Sequence, residues 1–269
     1  MKTPELRPIR TRVGRAEDGD NRFRGHSVDR DLAGQRSLVQ TLVLALTGRT
    51  IDADAAAVID DLAASILAAD PRIWPLRIAR LGATYGSTLA GAASALLAQE
   101  STSVGGGSSA AVAQYLSRIA AELGSNLDDD DALAAIVARD VAHGHKFIGY
   151  GVPFRDVDER VTTAERCLGA RGRANGKHWR LARRIEAALV RHRAAPLNAA
   201  GAMAAALLDL GFPPAEIPVV VIFLSTPSLY ANAVEGAEQK SPVLQRLPDE
   251  CVEYKGPPPR RSPRYREPT

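Results

Sequence analysis

Across residues 75–99 small side chains recur so densely that neighbouring backbones can approach closely: Ala79, Gly82, Ala83, Gly86, Gly91 and Ala92. This predicts a central helix or helix pair packed at short range. Hydrophobic residues make up 45% of the 269-residue chain but aromatic residues only 5%, and alanine and leucine dominate. That balance favours packed helices over sheets. A chain of this length buries a full core as one large domain or two smaller ones.

The flanking segments carry the same signal. Ser37 is a good N-cap, Leu38, Leu42 and Leu46 share a face, and Gly48 closes that helix. Asp52 or Asp54 opens a second helix with Ile59, Leu62 and Ile66 as its buried stripe. Further helices are predicted over 110–123, 132–141, 158–168 and 177–193. Asp128 to Asp131 suit the positive end of a helix dipole, and no calcium-loop pattern accompanies them. Arg180, Arg183 and Arg184 form a basic stripe, which by default is a solvated face.

Between two of these helices lies VAHGHKFIGYGVPFRDVDER, residues 141–160. It gathers His143, His145 and Lys146, then Gly149, Gly151 and Pro153, then Asp158, Glu159 and Arg160. Glycine opens backbone angles closed to other residues, and proline stops a helix from running through. Loops rich in such side chains, held by a rigid scaffold, are where ligand chemistry concentrates. A guanidinium meets a carboxylate through two parallel hydrogen bonds, and imidazole donates or accepts near neutral pH.

The order Gly144-His145-Lys146 followed by Asp158-x-Arg160 resembles the GHR…DPR signature of citrate synthases and citryl-CoA lyases. The resemblance extends over about residues 24–256. Residues 196–213 are similar to the family's PNVDxxxG…LGxP segment, with Asn198 and Gly201 retained. Thr226, Pro227, Ala231 and Glu235 match its RTPGxxAH…E run, and Arg246, Pro248, Tyr254 and Gly256 keep an Arg-Pro…Tyr-x-Gly ending. The length suits the short, lyase-like members.

The resemblance implies an all-α, citrate-synthase-like helical fold, with a large helical domain and a smaller helical subdomain. It gives His145 the keto or hydroxyl oxygen of a small acid. Arg160 and Arg246 become carboxylate clamps, Arg246 being lent to the partner of a homodimer. Asn198 and Asn232 are polar orienters, with Asp158 (or Asp156) as a relocated base. His143, Lys146 and Ser225 join the substrate-binding set. Gly105, Gly106 and Ser108, in the family's glycine-rich turn, are the candidate contacts to a coenzyme A thioester, which is a substrate rather than a tightly bound cofactor.

Five family positions are changed: Pro71, Val104, Ala200, Ser225 and Asn232. Valine has no proton to give and alanine accepts none, so the ordinary chemistry should be very slow. Two expectations follow. One is a carbon–carbon lyase or synthase with altered chemistry, acting on an acyl-CoA or related carboxylate and a small keto or hydroxy acid. The other is a catalytically inactive relative acting as a ligand-binding or structural partner.

The remaining boundaries are an extended basic arm over 1–30, the helical domain over 31–256 with its subdomain at about 142–215, and a Pro/Arg-rich tail over 257–269. Net charge is +3, and the excess lies mainly at the two ends and on one helix, so no specific nucleic-acid partner is expected. Cys167 and Cys251 stand too far apart in sequence for a disulfide framework and fit a reducing cytoplasm. The N-terminus lacks a signal-peptide core, and the apolar run 219–224 is too short to span a bilayer. His143-x-His145 has no third ligand at zinc spacing, so no metal is expected.

Overall fold

The computed structural model describes residues 9–68, 70–85, 87–100, 105–152, 156–190, 196–239, 248–258 and 260. Helices dominate, as expected. α1 (Leu38–Thr47) starts at a capping box between Ser37 and Gln40 and ends at Gly48 in the left-handed region, φ 77°. α2 (Ala53–Ser65) is capped by Asp52. The small-residue stretch forms a pair, α3 (Trp74–Ala83) and α4 (Thr88–Ala98). A Cβ on Gly82 would lie 2.9 Å from the Gly91 Cα, so the two backbones touch.

α5 (Gly105–Leu123) and α9 (Ala199–Asp209) run through the main core. α9 is apolar all round and buried nearly all round, as the innermost helix of a layered domain should be. α6 (Asp130–Ala142), α7 (Glu159–Ala170), α8 (Lys177–Val190) and α10 (Ile217–Leu224) surround them. α11 (Thr226–Glu238) leaves this core and packs on α3 and α4 around Leu76, Ala79, Ala83, Ala92, Ala95, Leu229 and Ala233.

The second hydrophobic cluster therefore belongs to α3, α4 and α11. Residues 142–215 contribute Val161, Leu168, Trp179 and Ile185 to the main core. α10 and α11 abut at Ser225 to give a 22-residue run long and apolar enough, by length and composition, to cross a membrane. Half of its apolar window is buried within the protein.

The N-terminal segment is not wholly extended. β1 (Gly14–Glu17), β2 (Asp20–Phe23) and β3 (His26–Ser27) make an antiparallel sheet, and a short helical turn over Val28–Leu32 follows. Asp18-Gly19 makes the first hairpin turn, a signal that the arginine content obscures. Asp20 accepts from Ser27 Oγ at 2.7 Å and from Arg30 at 3.0 Å, tying the sheet to that turn.

Candidate functional site

Where the two hydrophobic clusters meet lies a half-open cavity of about 610 Å³. One wall is the loop after α6 together with the starts of α7 and α9. The other is the end of α2, the start of α3 and the first turns of α11.

The first wall is built around Asp158, which is 1% exposed. Its carboxylate caps α7 by accepting from Arg160 N at 3.1 Å and reaches the start of α9, accepting from Ala199 N at 2.9 Å. It also holds the Arg160 guanidinium at two points, 2.8 Å from Nε and 2.7 Å from Nη2. Burial pushes this carboxyl up, but the Arg160 guanidinium and the two backbone N–H donors together outweigh it and hold it below the ordinary range. A carboxylate so depressed and so fully bonded is a poor proton acceptor. Asp158 positions Arg160; it does not face the cavity as a base.

Asn198 acts likewise on the backbone. Its Oδ1 accepts from Ala200 N and Gly201 N, its Nδ2 donates to the Gly151 carbonyl at 3.0 Å, and its N–H donates to Gly149 O at 2.9 Å. The loop lies directly on α9, where a Cβ on Gly201 would stand 2.6 Å from Gly149 O. Gly149 itself, at φ 93°, adopts a backbone that L side chains avoid.

The cavity brings together Lys146, Arg160, Asn198, Ser225, Gly105 and Ser108 from the sequence-derived set. Ser109 and Gln99, which sequence reasoning missed, line it as well. Ser108 and Ser109 both donate to Gly105 O at 2.9 Å, and Ser225 Oγ donates to Ile222 O at 2.7 Å. Gly105 stands at φ 67° with the Gln99 side chain against it, and Gly106 N donates to Gln99 O at 2.9 Å. That N–H, at the start of α5, is thus engaged within the protein instead of open to an anion. Gly106 packs against Ile222 and Pro218 of α10 and does not reach the cavity.

His145 and His143 do not join the set. His145 is exposed and stacks on Tyr115, with centroids 4.8 Å apart and planes at 17°. Phe147 meets both rings edge-on, and Arg118 lies 5.0 Å over Tyr115. His143, also exposed, places Nδ1 2.7 Å from Arg139 O at the end of α6. The glycine-flanked step that reaches the cavity is Gly151-Val152, not Gly144-His145. Asn232 is turned inward, 8% exposed, donating to Ser228 O and accepting from Arg80. Arg80 in turn pairs with Glu235 at 2.6 Å. Asp156 is exposed and lies away from this cavity. Arg246 and Val104 lie outside the described residues.

Among the described lining residues none is histidine, aspartate or glutamate, and the charged ones are Lys146 and Arg160. The phenol of Tyr150 donates to Ala182 O at 3.1 Å, and burial raises its pKa well above normal. The α8 arginines are matched rather than free: Arg180 with Asp128, Arg184 with Asp130, and Arg183 with Glu186. Among the described residues no group of three or more His, Cys, Asp or Glu converges as a metal site.

The helical fold is shared with several solved structures. The chain superimposes on citryl-CoA lyase from Hydrogenobacter thermophilus with a TM-score of 0.76 at 22% identity, over 96% of this chain and 98% of that one. It matches ATP citrate lyase from Methanothrix soehngenii, in complex with citrate and coenzyme A, at TM-score 0.74 and 18% identity, over 95% of this chain but only 43% of that one. For citrate synthase from Thermotoga maritima the TM-score is 0.64 at 19% identity, over 84% and 60% of the two chains. The fold is therefore that of citrate synthase and citryl-CoA lyase. No protein-family model and no curated protein sequence matches the chain.

Proposed function

We propose that this protein binds a small carboxylate, free or as part of a coenzyme A thioester, in the cavity between its two helical layers. Arg160 and Lys146 receive the carboxylate. The observation that carries this reading is the pairing of a pre-positioned guanidinium with a second cation on a wall that offers no carboxylate or imidazole among its described residues. Such a wall suits anion capture. It does not suit removal of a proton from carbon, where a placed acid or base contributes about 10²–10⁴ in rate.

Isothermal titration of small carboxylates, their uncharged amides and their coenzyme A thioesters tests the reading. Carboxylates should bind and amides should not, and Lys146→Met should weaken binding about tenfold. Equal binding of acid and amide would count against it.

A carbon–carbon lyase or synthase of the citryl-CoA lyase type is the second reading, supported by the correspondence over nearly all of a free-standing citryl-CoA lyase. It requires acid–base groups beyond those described at the cavity, from other residues or from a second copy in a homodimer. Release of free coenzyme A from a thioester panel, above the uncatalysed rate and abolished by filling the cavity with Ala200→Phe, would establish it.

A further inference from the structure

The two walls of the cavity differ in kind, and the difference bears on what the carboxylate is attached to. The cations all come from one side. Lys146 and Arg160 sit on the loop wall, and the Arg160 charge is already met at two points by the buried Asp158. Lys146 is then the one described lining cation not already matched by a buried carboxylate. The facing wall is Ile66, Ala68, Ile73, Pro75, Leu76 and Leu229, continuous with the second hydrophobic cluster. Its polar member, Ser228, accepts from the Ala68 N–H at 3.1 Å.

We infer that the ligand is a monocarboxylate with an apolar body, an alkyl or acyl chain, rather than a di- or tricarboxylic acid. This rests on the carboxylate-binding reading above and narrows it. One anionic group meets the Arg160/Lys146 side. Much of the remaining volume of about 610 Å³ is bounded by the aliphatic side chains of that facing wall, with Gln99, Ser108, Ser109 and Ser225 between the two walls, a space typical of ligands larger than a small acid. A tricarboxylate would find no cation for its further charges on the described residues of that facing wall, which is unfavourable. An alkyl chain gains there, since each methylene withdrawn from water tightens binding about fourfold.

The test is isothermal titration of the full chain with acetate, butyrate, hexanoate, hexanamide and citrate, repeated on Ile73→Ser. Ile73 is the N-cap of α3 and makes no side-chain cap, so serine there supplies a capping hydroxyl while removing aliphatic surface from the wall. The expected result is about fourfold tightening per methylene from butyrate to hexanoate, citrate at least tenfold weaker than hexanoate, and a shallower chain-length dependence in Ile73→Ser. Citrate binding more tightly than hexanoate, or affinity independent of chain length, would overturn the inference and leave the carboxylate site standing. Hexanamide equal to hexanoate, or no binding by any of the acids, would remove the carboxylate site and the inference with it.

Discussion

The loop between α6 and α7 has two ends, and they behave as different materials. At the α6 end His143 and His145 are exposed, one against the Arg139 carbonyl and the other stacked on Tyr115. Toward α7 the described residues are held by backbone hydrogen bonds and a buried carboxylate. Gly149 and Gly151 are bonded to Asn198 and Pro196, and Asp158 is buried beneath Arg160. The residue types that carry the most chemistry lie at the end with the fewest constraints. What positions a side chain toward the cavity is the hydrogen-bonded backbone beneath it, not the presence of an imidazole nearby.

The largest test of that contrast is Asp158→Ala. It removes a carboxylate that joins two helix starts and leaves Arg160 without its partner, so unfolding in urea at pH 7 should show a loss of about 3–5 kcal/mol. The pH dependence has a definite sign. Because the folded-state pKa of Asp158 is depressed, its stabilisation is present above the unfolded value of about 4 and is lost as pH falls through the folded one. The difference between wild type and Asp158→Asn should therefore shrink on acidification below about pH 4. Stability curves that stay parallel down to pH 2 would deny Asp158 this role.

Next in size is Gly201→Ala. The added methyl meets Gly149 O and Leu197, and overpacking of this kind costs about 1–3 kcal/mol. It should also weaken carboxylate binding by displacing the loop. Lys146→Met comes third: about tenfold in carboxylate affinity with stability within about 0.5 kcal/mol of wild type, since the side chain is exposed. Smallest is His145→Ala, which loses the stack on Tyr115 and the edge contact with Phe147, together worth about 1 kcal/mol, and should leave binding unchanged. A His145→Ala variant that folds normally and no longer binds would reverse the roles of the two ends.

Much of the helical frame was legible in the sequence because caps and periodicity act locally. Ser37, Asp52, Asp129 and Asp158 all cap the helices they precede, and Gly48 ends α1. The small residues of α3 and α4 pointed to close packing, and they pack closely. Arg160 and Asn198, singled out by motifs that resemble those of citrate synthases and citryl-CoA lyases, both line the cavity. His145 lies outside the cavity for a physical reason. Gly144-His145 and Gly151-Val152 look alike as turn chemistry, and only the tertiary contact of the second with α9 decides which faces inward. The apolar wall of α3 and α11 left no signal of its own, because Ile73, Leu76 and Leu229 read as ordinary core until the two hydrophobic clusters are seen to part around a cavity.

The central claim, that Arg160 and Lys146 and not His143 and His145 receive a carboxylate, is tested most directly by side-chain NMR during titration with butyrate. Resonances of the Arg160 guanidinium should shift and saturate together with the methyl of Met203 in the cavity wall, while the His145 ring signals stay in place. Saturable movement of the His145 ring with Arg160 unmoved would contradict the account.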